Sequence, residues 1–250
     1  MKLRRIGGLL LALAAAATLF ATPAQATQGT WQTSLENLNL NGGSRTDAFY
    51  DTVLKITWLR DADVNGRMDW ATANAWANNL TYGGYDDWRL PTMVDTGTSG
   101  CTYSVAGGTD CGYNVQTFSE GTVYSEMAHL SYVTLGNKGK CTPGYTSCTV
   151  QANWGMTNVG AFEGMDSFYY WSGLELASNS THAWYFNTSE GFQAEGAKTN
   201  SFYAMAVRSG DIALPGSVPA ETVPEPGTLA LAAAALAGLG VVRRWRAVQA

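Results

Sequence analysis

The chain has 250 residues, and its apolar fraction of 46% is ample for a hydrophobic core. All 20 acidic residues but only 9 of the 15 basic ones lie between residues 27 and 242, which gives this stretch a net charge of −11. Such a surface repels nucleic acid and other polyanions, and no Lys/Arg cluster interrupts it. We therefore exclude nucleic-acid binding.

The N-terminus has the pattern of a secretory signal peptide. Three basic residues precede an apolar stretch over residues 6–20, and Ala24-Gln25-Ala26 supplies the small side chains that a signal peptidase selects. The sequence predicts cleavage after Ala26, with residues 1–26 as the signal peptide. An uncleaved anchor is the alternative, and the short apolar stretch with Pro23 just before the cleavage site disfavours it.

Residues 27–44 are polar and are predicted to be a lead-in segment to a single domain over residues 45–211. The stretch 52–59 is rich in β-branched and aromatic residues, which predicts a strand. Asp69 is a good N-cap for a helix from residue 70 to about residue 80, because apolar residues recur there at helical spacing. We expect this helix to lie across a sheet.

The turn between that strand and helix is a candidate calcium site. Asp61, Asp63 and Asn65 alternate before Gly66, as in the first half of an EF-hand loop, and Asp69 follows. The glutamate expected at position twelve is a threonine, so only weak calcium binding is predicted. The alternative, which we favour, is a polar turn whose last aspartate caps the helix.

Residues 86–89 are a second candidate site, because an aromatic ring flanked by acids suits a sugar ligand. The alternative is structural: Arg89 would be satisfied by a buried acid, and the indole beside it would belong to the core. We favour this structural interpretation. The candidate ligand contacts are Asp86, Asp87, Trp88, Trp171 and Trp184.

Four cysteines in an exported chain indicate disulfides, and the spacing favours local pairs of Cys101 with Cys111 and of Cys141 with Cys148. Three connectivities are possible. Zinc is the functional alternative, but the intervals between these cysteines fit zinc ligand sets poorly.

A second helix is predicted to start at Ser125 and to stop before Gly136. It carries Glu126 and His129, which resemble half of a di-iron site; a surface or capping role is favoured for both. Neither His129 nor His182 belongs to a catalytic triad or metal motif, so we predict that the protein is not an enzyme. Glycoside hydrolysis by paired carboxylates stays open, because distances in space are not visible in sequence. The acids to search are Asp86, Asp87, Glu163, Asp166, Glu175, Glu190 and Glu195.

The last third of the domain is predicted to be β-structure, with strands at residues 168–172, 183–187 and 202–208. Aromatic and apolar residues occur on both faces of these strands. Because sheets covered on both faces produce this pattern, we expect most of these rings to be buried.

The C-terminus follows a linker over residues 212–223. Pro224-Glu225-Pro226 leads into an apolar run over residues 228–242, which is short for a membrane span. This order of motif, apolar run and basic end resembles the PEP-CTERM sorting tail, here residues 224–250. The basic residues that end it are Arg243, Arg244 and Arg246.

The sorting-tail resemblance implies transient insertion in the inner membrane and cleavage by exosortase, after signal peptidase has removed the N-terminal signal. The arginines would stay cytoplasmic, which places the domain on the outer side. A permanent C-terminal anchor is the alternative. The expected location is the cell surface or the extracellular space.

Three segments of the domain carry a family resemblance: Trp58-Leu59-Arg60-Asp61-Ala62-Asp63, Gly84-Tyr85-Asp86-Asp87-Trp88-Arg89-Leu90-Pro91-Thr92 and Tyr170-Trp171-Ser172-Gly173. They resemble the DUF1566 family, also called the Lcl C-terminal domain. This resemblance implies an α+β domain of the C-type-lectin-like or formylglycine-generating-enzyme-like class. The Glu-Pro-Asn and Trp-Asn-Asp motifs of calcium-dependent lectins are missing, and no cysteine follows Cys148, which excludes formylglycine-generating chemistry.

Three functions are compatible with these patterns. The leading one is a lectin-like binding module for exopolysaccharide or another surface ligand, with calcium as a candidate cofactor. A relative in a collagen-like adhesin suggests sulphated polysaccharide, but the acidic domain favours a neutral glycan or a protein ligand. The alternatives are a structural component of the biofilm matrix and a carboxylate-dependent glycan hydrolase.

Overall fold

The computed structural model describes residues 29–97 and 110–211. The predicted signal peptide, linker and sorting tail lie outside these ranges. Within them no helix is long and apolar enough to cross a membrane.

The first sheet is antiparallel, with strand order β1-β2-β3-β10. Every residue of β2 and β3 is buried, because both strands lie in the interior of this sheet. The last strand pairs with β3, with Val207 opposite Trp58, so the end of the domain closes against its beginning. The strands are β1 (Leu35–Leu38), β2 (Ala48–Asp51), β3 (Ile56–Leu59) and β10 (Val207–Ser209).

The second sheet is also antiparallel, with strand order β4-β9-β8-β7. A register shift interrupts the pairing of β7 with β8 between Trp171 and Glu175. A separate two-stranded hairpin joins β5 (Phe118–Ser119) to β6 (Thr122–Val123). The strands of the second sheet are β4 (Gly112–Tyr113), β7 (Tyr169–Glu175), β8 (His182–Asn187) and β9 (Phe192–Ala197).

Three short α-helices complete the described fold: α1 (Trp31–Ser34), α2 (Trp70–Asn78) and α3 (Glu126–His129). Both N-caps predicted from sequence are confirmed. Asp69 accepts a hydrogen bond from the Thr72 amide, and Ser125 accepts one from the Ala128 amide. Helix α3 continues as a π-helical turn over Leu130–Thr134. Such turns are rare in proteins overall, but those that occur are frequently found at functional sites.

The sheet contacts explain why both faces of β7 and β8 are apolar. Tyr170 and Phe186 join a core cluster with Phe49 and Trp58 of the first sheet. On the opposite face, Trp171 packs in a second cluster with alanines of α2. The expectation of a sheet covered on both faces, with a helix lying across it, is confirmed.

Some sequence boundaries were wrong. The predicted lead-in segment contains α1 and β1, because β1 completes the edge of the first sheet. The strand predicted at residues 52–59 starts only at Ile56, after a turn that includes Lys55 with a φ of 59°. Strand β9 was missed because Gly191 just before it and the polar residues within it suggested a turn. Residues 202–206 form bridges and loop before β10 begins.

Candidate functional site

The predicted calcium turn does not assemble as a ligand set. The Asp63 amide donates to Asp61 Oδ1 at 3.2 Å, which makes a local turn. Burial raises the pKa of the Asp63 carboxyl, as do its hydrogen bond to Asp61 and the charges of Asp61 and Asp166. Gly164, with a φ of +60°, approaches so closely that a Cβ there would lie 2.1 Å from Asp63 Oδ1. The backbone therefore closes over these carboxylates.

Asp69, the last aspartate of the predicted calcium turn, caps helix α2. Its carboxylate accepts from the Thr72 amide at 2.7 Å, and this hydrogen bond lowers the pKa of Asp69. Asn65 is exposed on the turn. Across residues 29–97 and 110–211, no group of three or more His, Cys, Asp and Glu side chains is placed to hold a metal ion. The interpretation of Asp69 as a helix cap is the one that the geometry supports.

The three tryptophans predicted as sugar contacts lie in the core. Trp88 and Trp184 are each 2% exposed, and Trp171 is fully buried. The Trp171 indole nitrogen donates to the Met68 carbonyl at 3.0 Å, and the Trp184 nitrogen donates to Asp95 at 2.9 Å. Because no face of these rings is open, the structure gives no support to sugar stacking on them.

The acids beside Trp88 also differ from the predicted sugar site. Asp87 accepts two hydrogen bonds from Arg208, at 2.6 and 2.9 Å, and this pairing lowers the pKa of Asp87. The Arg208 guanidinium lies 4.1 Å from the centroid of the Tyr85 ring. Asp86 is exposed. The pair of Asp87 with Arg208 ties this loop to β10.

The buried acid predicted for Arg89 is Glu126. The two Arg89 terminal nitrogens each lie 2.7 Å from a Glu126 oxygen, and the Thr92 amide also donates to that carboxylate. The side chain of Glu126 is only 4% exposed. The surface position predicted for Glu126 and His129 is therefore wrong, because both side chains are buried. Their helix lies inside the domain.

A polar cleft of about 350 Å³ lies at one end of the first sheet. We call it the polar cleft throughout. The loop between β1 and β2 forms one wall, and the end of β3 with the strand-like contact of Asp61 and Glu163 forms another. Its lining side chains include Asn39, Asn41, Arg45, Asp47, Arg60, Asp61, Tyr82 and Glu163.

Glu163 forms ion pairs with two arginines that line the polar cleft. Arg60 binds its Oε1 at 2.8 Å, and Arg45 binds its Oε2. Arg60 also donates to the Thr46 carbonyl at 2.8 Å, which holds the loop between β1 and β2 against β3. Both carboxylate oxygens are engaged, although the side chain of Glu163 is 41% exposed.

Asp47 stabilises the loop between β1 and β2, one wall of the polar cleft, through hydrogen bonds within that loop. It accepts from the Leu40 amide at 2.8 Å and from Asn41 Nδ2 at 3.0 Å. Gly83, with a φ of +63°, approaches Leu40 so closely that a Cβ would lie 2.4 Å from the leucine Cβ. This contact places Tyr82 at the cleft, where burial and the charge of Asp47 raise the pKa of Tyr82.

Two polar atoms of the cleft wall lack hydrogen-bond partners: Asn39 Oδ1 and Arg60 Nε. One is an acceptor and the other is a donor, and both atoms are buried behind the surface of the cleft. Sequence analysis found Glu163 only as one acid in a pool and missed the loop. The available signal was the run of Asn, Gly, Arg and Asp between residues 39 and 47.

One predicted disulfide is present, between Cys141 and Cys148. Cys111 is also disulfide-bonded. Cys101 lies outside the described residues, so its predicted pairing stays a prediction. The predicted sorting and cleavage residues at the two ends lie outside the description as well.

Comparison with known families agrees with the resemblances. The model of the Lcl C-terminal domain matches residues 47–208, and that of the PEP-CTERM protein-sorting motif matches residues 222–246. The chain belongs to the Lcl C-terminal domain family and carries a PEP-CTERM sorting motif. No curated protein and no solved structure matches it.

The sorting motif indicates the cellular destination of this protein. It implies export, C-terminal membrane anchoring before cleavage, and processing by exosortase. The described fold is mixed α/β with mostly antiparallel sheets.

Proposed function

We propose that the exported domain is a non-catalytic, lectin-like binding module that holds a neutral glycan in the polar cleft. The observation that carries this proposal is the composition of the cleft. Its volume of about 350 Å³ falls within the usual range for ligand sites, and planar polar side chains line it beside one aromatic ring. Amide, guanidinium and carboxylate groups suit sugar hydroxyls, and Tyr82 offers a ring for an apolar sugar face.

The charges of the cleft favour a neutral ligand. Arg45 and Arg60 are both paired with Glu163, and Asp47 and Asp61 add two further carboxylates. An anionic sugar would meet these acids on an exported stretch of net charge −11. A neutral sugar meets no such repulsion.

The geometry also favours binding over hydrolysis. Glycoside hydrolysis requires one carboxyl group to donate a proton and a second to act as base or nucleophile. Arginines engage both oxygens of Glu163, and Asp61 Oδ1 accepts from the Asp63 amide. These contacts orient the acids toward the protein.

The test is a glycan array with the full chain in a detergent that has no sugar headgroup, run with calcium and with a chelator. We expect saturable binding to a class of neutral glycan. Arg45→Ala should weaken it about tenfold, because a hydrogen bond from a charged group is lost. Lys138→Ala removes an exposed charge outside the cleft and is the matched control.

A blank array would overturn the glycan proposal in favour of a matrix role or a protein ligand. Equal binding by the two variants would remove the polar cleft as the site. Binding that disappears with the chelator would show that the interaction needs a divalent cation.

A further inference from the structure

One segment of the domain folds back on itself as an arm with an exposed tip. Its two sides meet in the antiparallel bridge of Cys141 with Val150. Every residue from 143 to 150 is exposed, and none of these residues is charged. We call residues 138–155 the arm and residues 143–150 its tip.

The arm is held in shape by its own contacts. The disulfide between Cys141 and Cys148 closes the tip. At the base, the Lys140 amide donates to the Glu190 carbonyl at 2.8 Å, and the Lys140 ammonium pairs with the Glu190 carboxylate at 3.2 Å. These contacts fasten the arm to the turn between β8 and β9. Because the arm is already ordered, binding through its tip costs little conformational entropy.

The tip exposes apolar side chains of the kind that a core normally buries. Val150 is 57% exposed and Tyr145 is 55% exposed, the two highest values among the large apolar side chains of the described residues. Trp154, nearer the base, is 37% exposed, and the Lys140 ammonium lies 5.4 Å from its ring. Tyrosine and tryptophan are enriched where a membrane meets water, and lysine there keeps its charge in the water.

The arm also differs in charge from the rest of the exported stretch. No acidic residue occurs between Glu126 and Glu163, whereas the stretch over residues 27–242 has a net charge of −11. The arm contains two lysines, of which Lys138 is exposed. Anionic lipids repel acidic protein surfaces and attract basic ones. The arm is therefore the part of the domain that a lipid surface would select.

A lipid surface is within reach of the domain before the sorting tail is cleaved, because the tail is then anchored in the membrane. Residues 212–223 separate the described domain from Pro224, and a chain of this length spans at most about 40 Å. A folded domain of this size is roughly 40 Å across. The linker is therefore long enough for the arm to reach the membrane.

We propose that the tip of the arm inserts into the surface of the membrane that anchors the sorting tail. Tyr145 and Val150 enter the headgroup region, and Lys138 stays in the water. Insertion stops at this depth because backbone polar groups of an irregular tip are not satisfied in hydrocarbon.

A single short tip binds lipid weakly, but the anchored tail keeps it at a high effective concentration beside the membrane. The contact therefore orients the domain on the outer side of the membrane until exosortase cleaves the tail, and it is lost afterwards. It does not involve the polar cleft, so it goes beyond the proposed glycan binding and does not depend on it.

The test is quenching of tryptophan emission by brominated phosphatidylcholine. The full chain is reconstituted in vesicles of this lipid with phosphatidylglycerol, and in matched vesicles without bromine. Trp245→Phe is the background, because Trp245 lies in the sorting tail. Tyr145→Trp adds a probe at the tip, and Val64→Trp adds one at a 50% exposed position outside the arm. We expect the brominated lipid to quench the added emission of Tyr145→Trp and to leave that of Val64→Trp unchanged.

A second substitution shows whether quenching requires an apolar tip. Val150→Asp, introduced into the Tyr145→Trp chain, places a charge in the tip and should abolish the quenching. Both positions are exposed, so the fold is expected to tolerate both changes. Equal quenching of the two probes, no quenching of either, or quenching that persists with Val150→Asp would each overturn insertion of the tip. The glycan array remains a separate test of the polar cleft.

Discussion

Two arginine–carboxylate pairs in this domain have the same chemistry and opposite surroundings. Arg89 pairs with Glu126 of helix α3, and their side chains are 32% and 4% exposed. Arg45 and Glu163 meet at the polar cleft, where the side chains are 68% and 41% exposed. Breaking a buried pair strands a charge, whereas an exposed pair contributes little to stability. The first pair therefore stabilises the fold, and the second is available to a ligand.

The largest effect is expected from removing the buried carboxylate. Glu126→Ala leaves Arg89 without its partner and the Thr92 amide without its acceptor. The free energy of unfolding should fall by about 1–3 kcal/mol, because buried hydrogen-bond partners lose their acceptor while the Arg89 side chain, 32% exposed, can still reach water. Urea denaturation of the variant measures this loss.

Glu163→Ala is the matched control, since it removes an exposed acid that is also paired with arginine. We expect it to cost about 1 kcal/mol or less. If the two variants lost equal stability, burial would not be what distinguishes the pairs.

A smaller effect is expected from acid, through His129 on the same helix as Glu126. Burial lowers the pKa of His129, although the charge of Asp51 opposes this. Neither ring nitrogen has a hydrogen-bond partner. The unfolded chain then binds a proton near pH 6.5, whereas the folded chain binds it only at a lower pH. The contribution of His129 to stability is therefore fully present above pH 6.5 and is lost as the pH falls below it.

The loss cannot exceed about 1.4 kcal/mol per pH unit for one proton. Urea midpoints at pH 7.5, 6.5 and 5.5 measure it, and His129→Gln should flatten the slope. His182→Gln removes the other histidine, which is half-exposed, and should leave the slope as it is. A slope that persists in His129→Gln would assign the proton to another group.

Local chemistry allowed sequence analysis to predict parts of the fold. Asp69 and Ser125 were identified as helix caps because each is a good N-cap residue at the start of a helical stretch, and each binds an amide only three residues away. The alternation of rings in β7 and β8 predicted a sheet covered on both faces. In each case the signal is contained in a few consecutive residues.

The contacts that define the candidate site are long-range. Arg89 was expected to meet a buried acid, but Glu126 is 37 residues away and resembled a surface residue of a short helix. Arg45 and Glu163 are 118 residues apart and meet because Glu163 pairs with the backbone beside Asp61. The sequence has no periodicity that would indicate such a contact.

The buried tryptophans were predicted as sugar contacts for a different reason. A ring that suits sugar stacking also suits a hydrophobic core, and residue type alone does not distinguish the two.

The smallest stability change is expected where the binding change is largest. Arg45→Ala removes a side chain that is 68% exposed, and Arg60 still holds Glu163 at 2.8 Å. The free energy of unfolding should change by less than about 0.5 kcal/mol, although glycan binding in the polar cleft should weaken. Urea denaturation and the glycan array on one preparation measure both quantities. A marked loss of stability would show that the Arg45 pair supports the fold as the Arg89 pair does, and the contrast between the two regions would not hold.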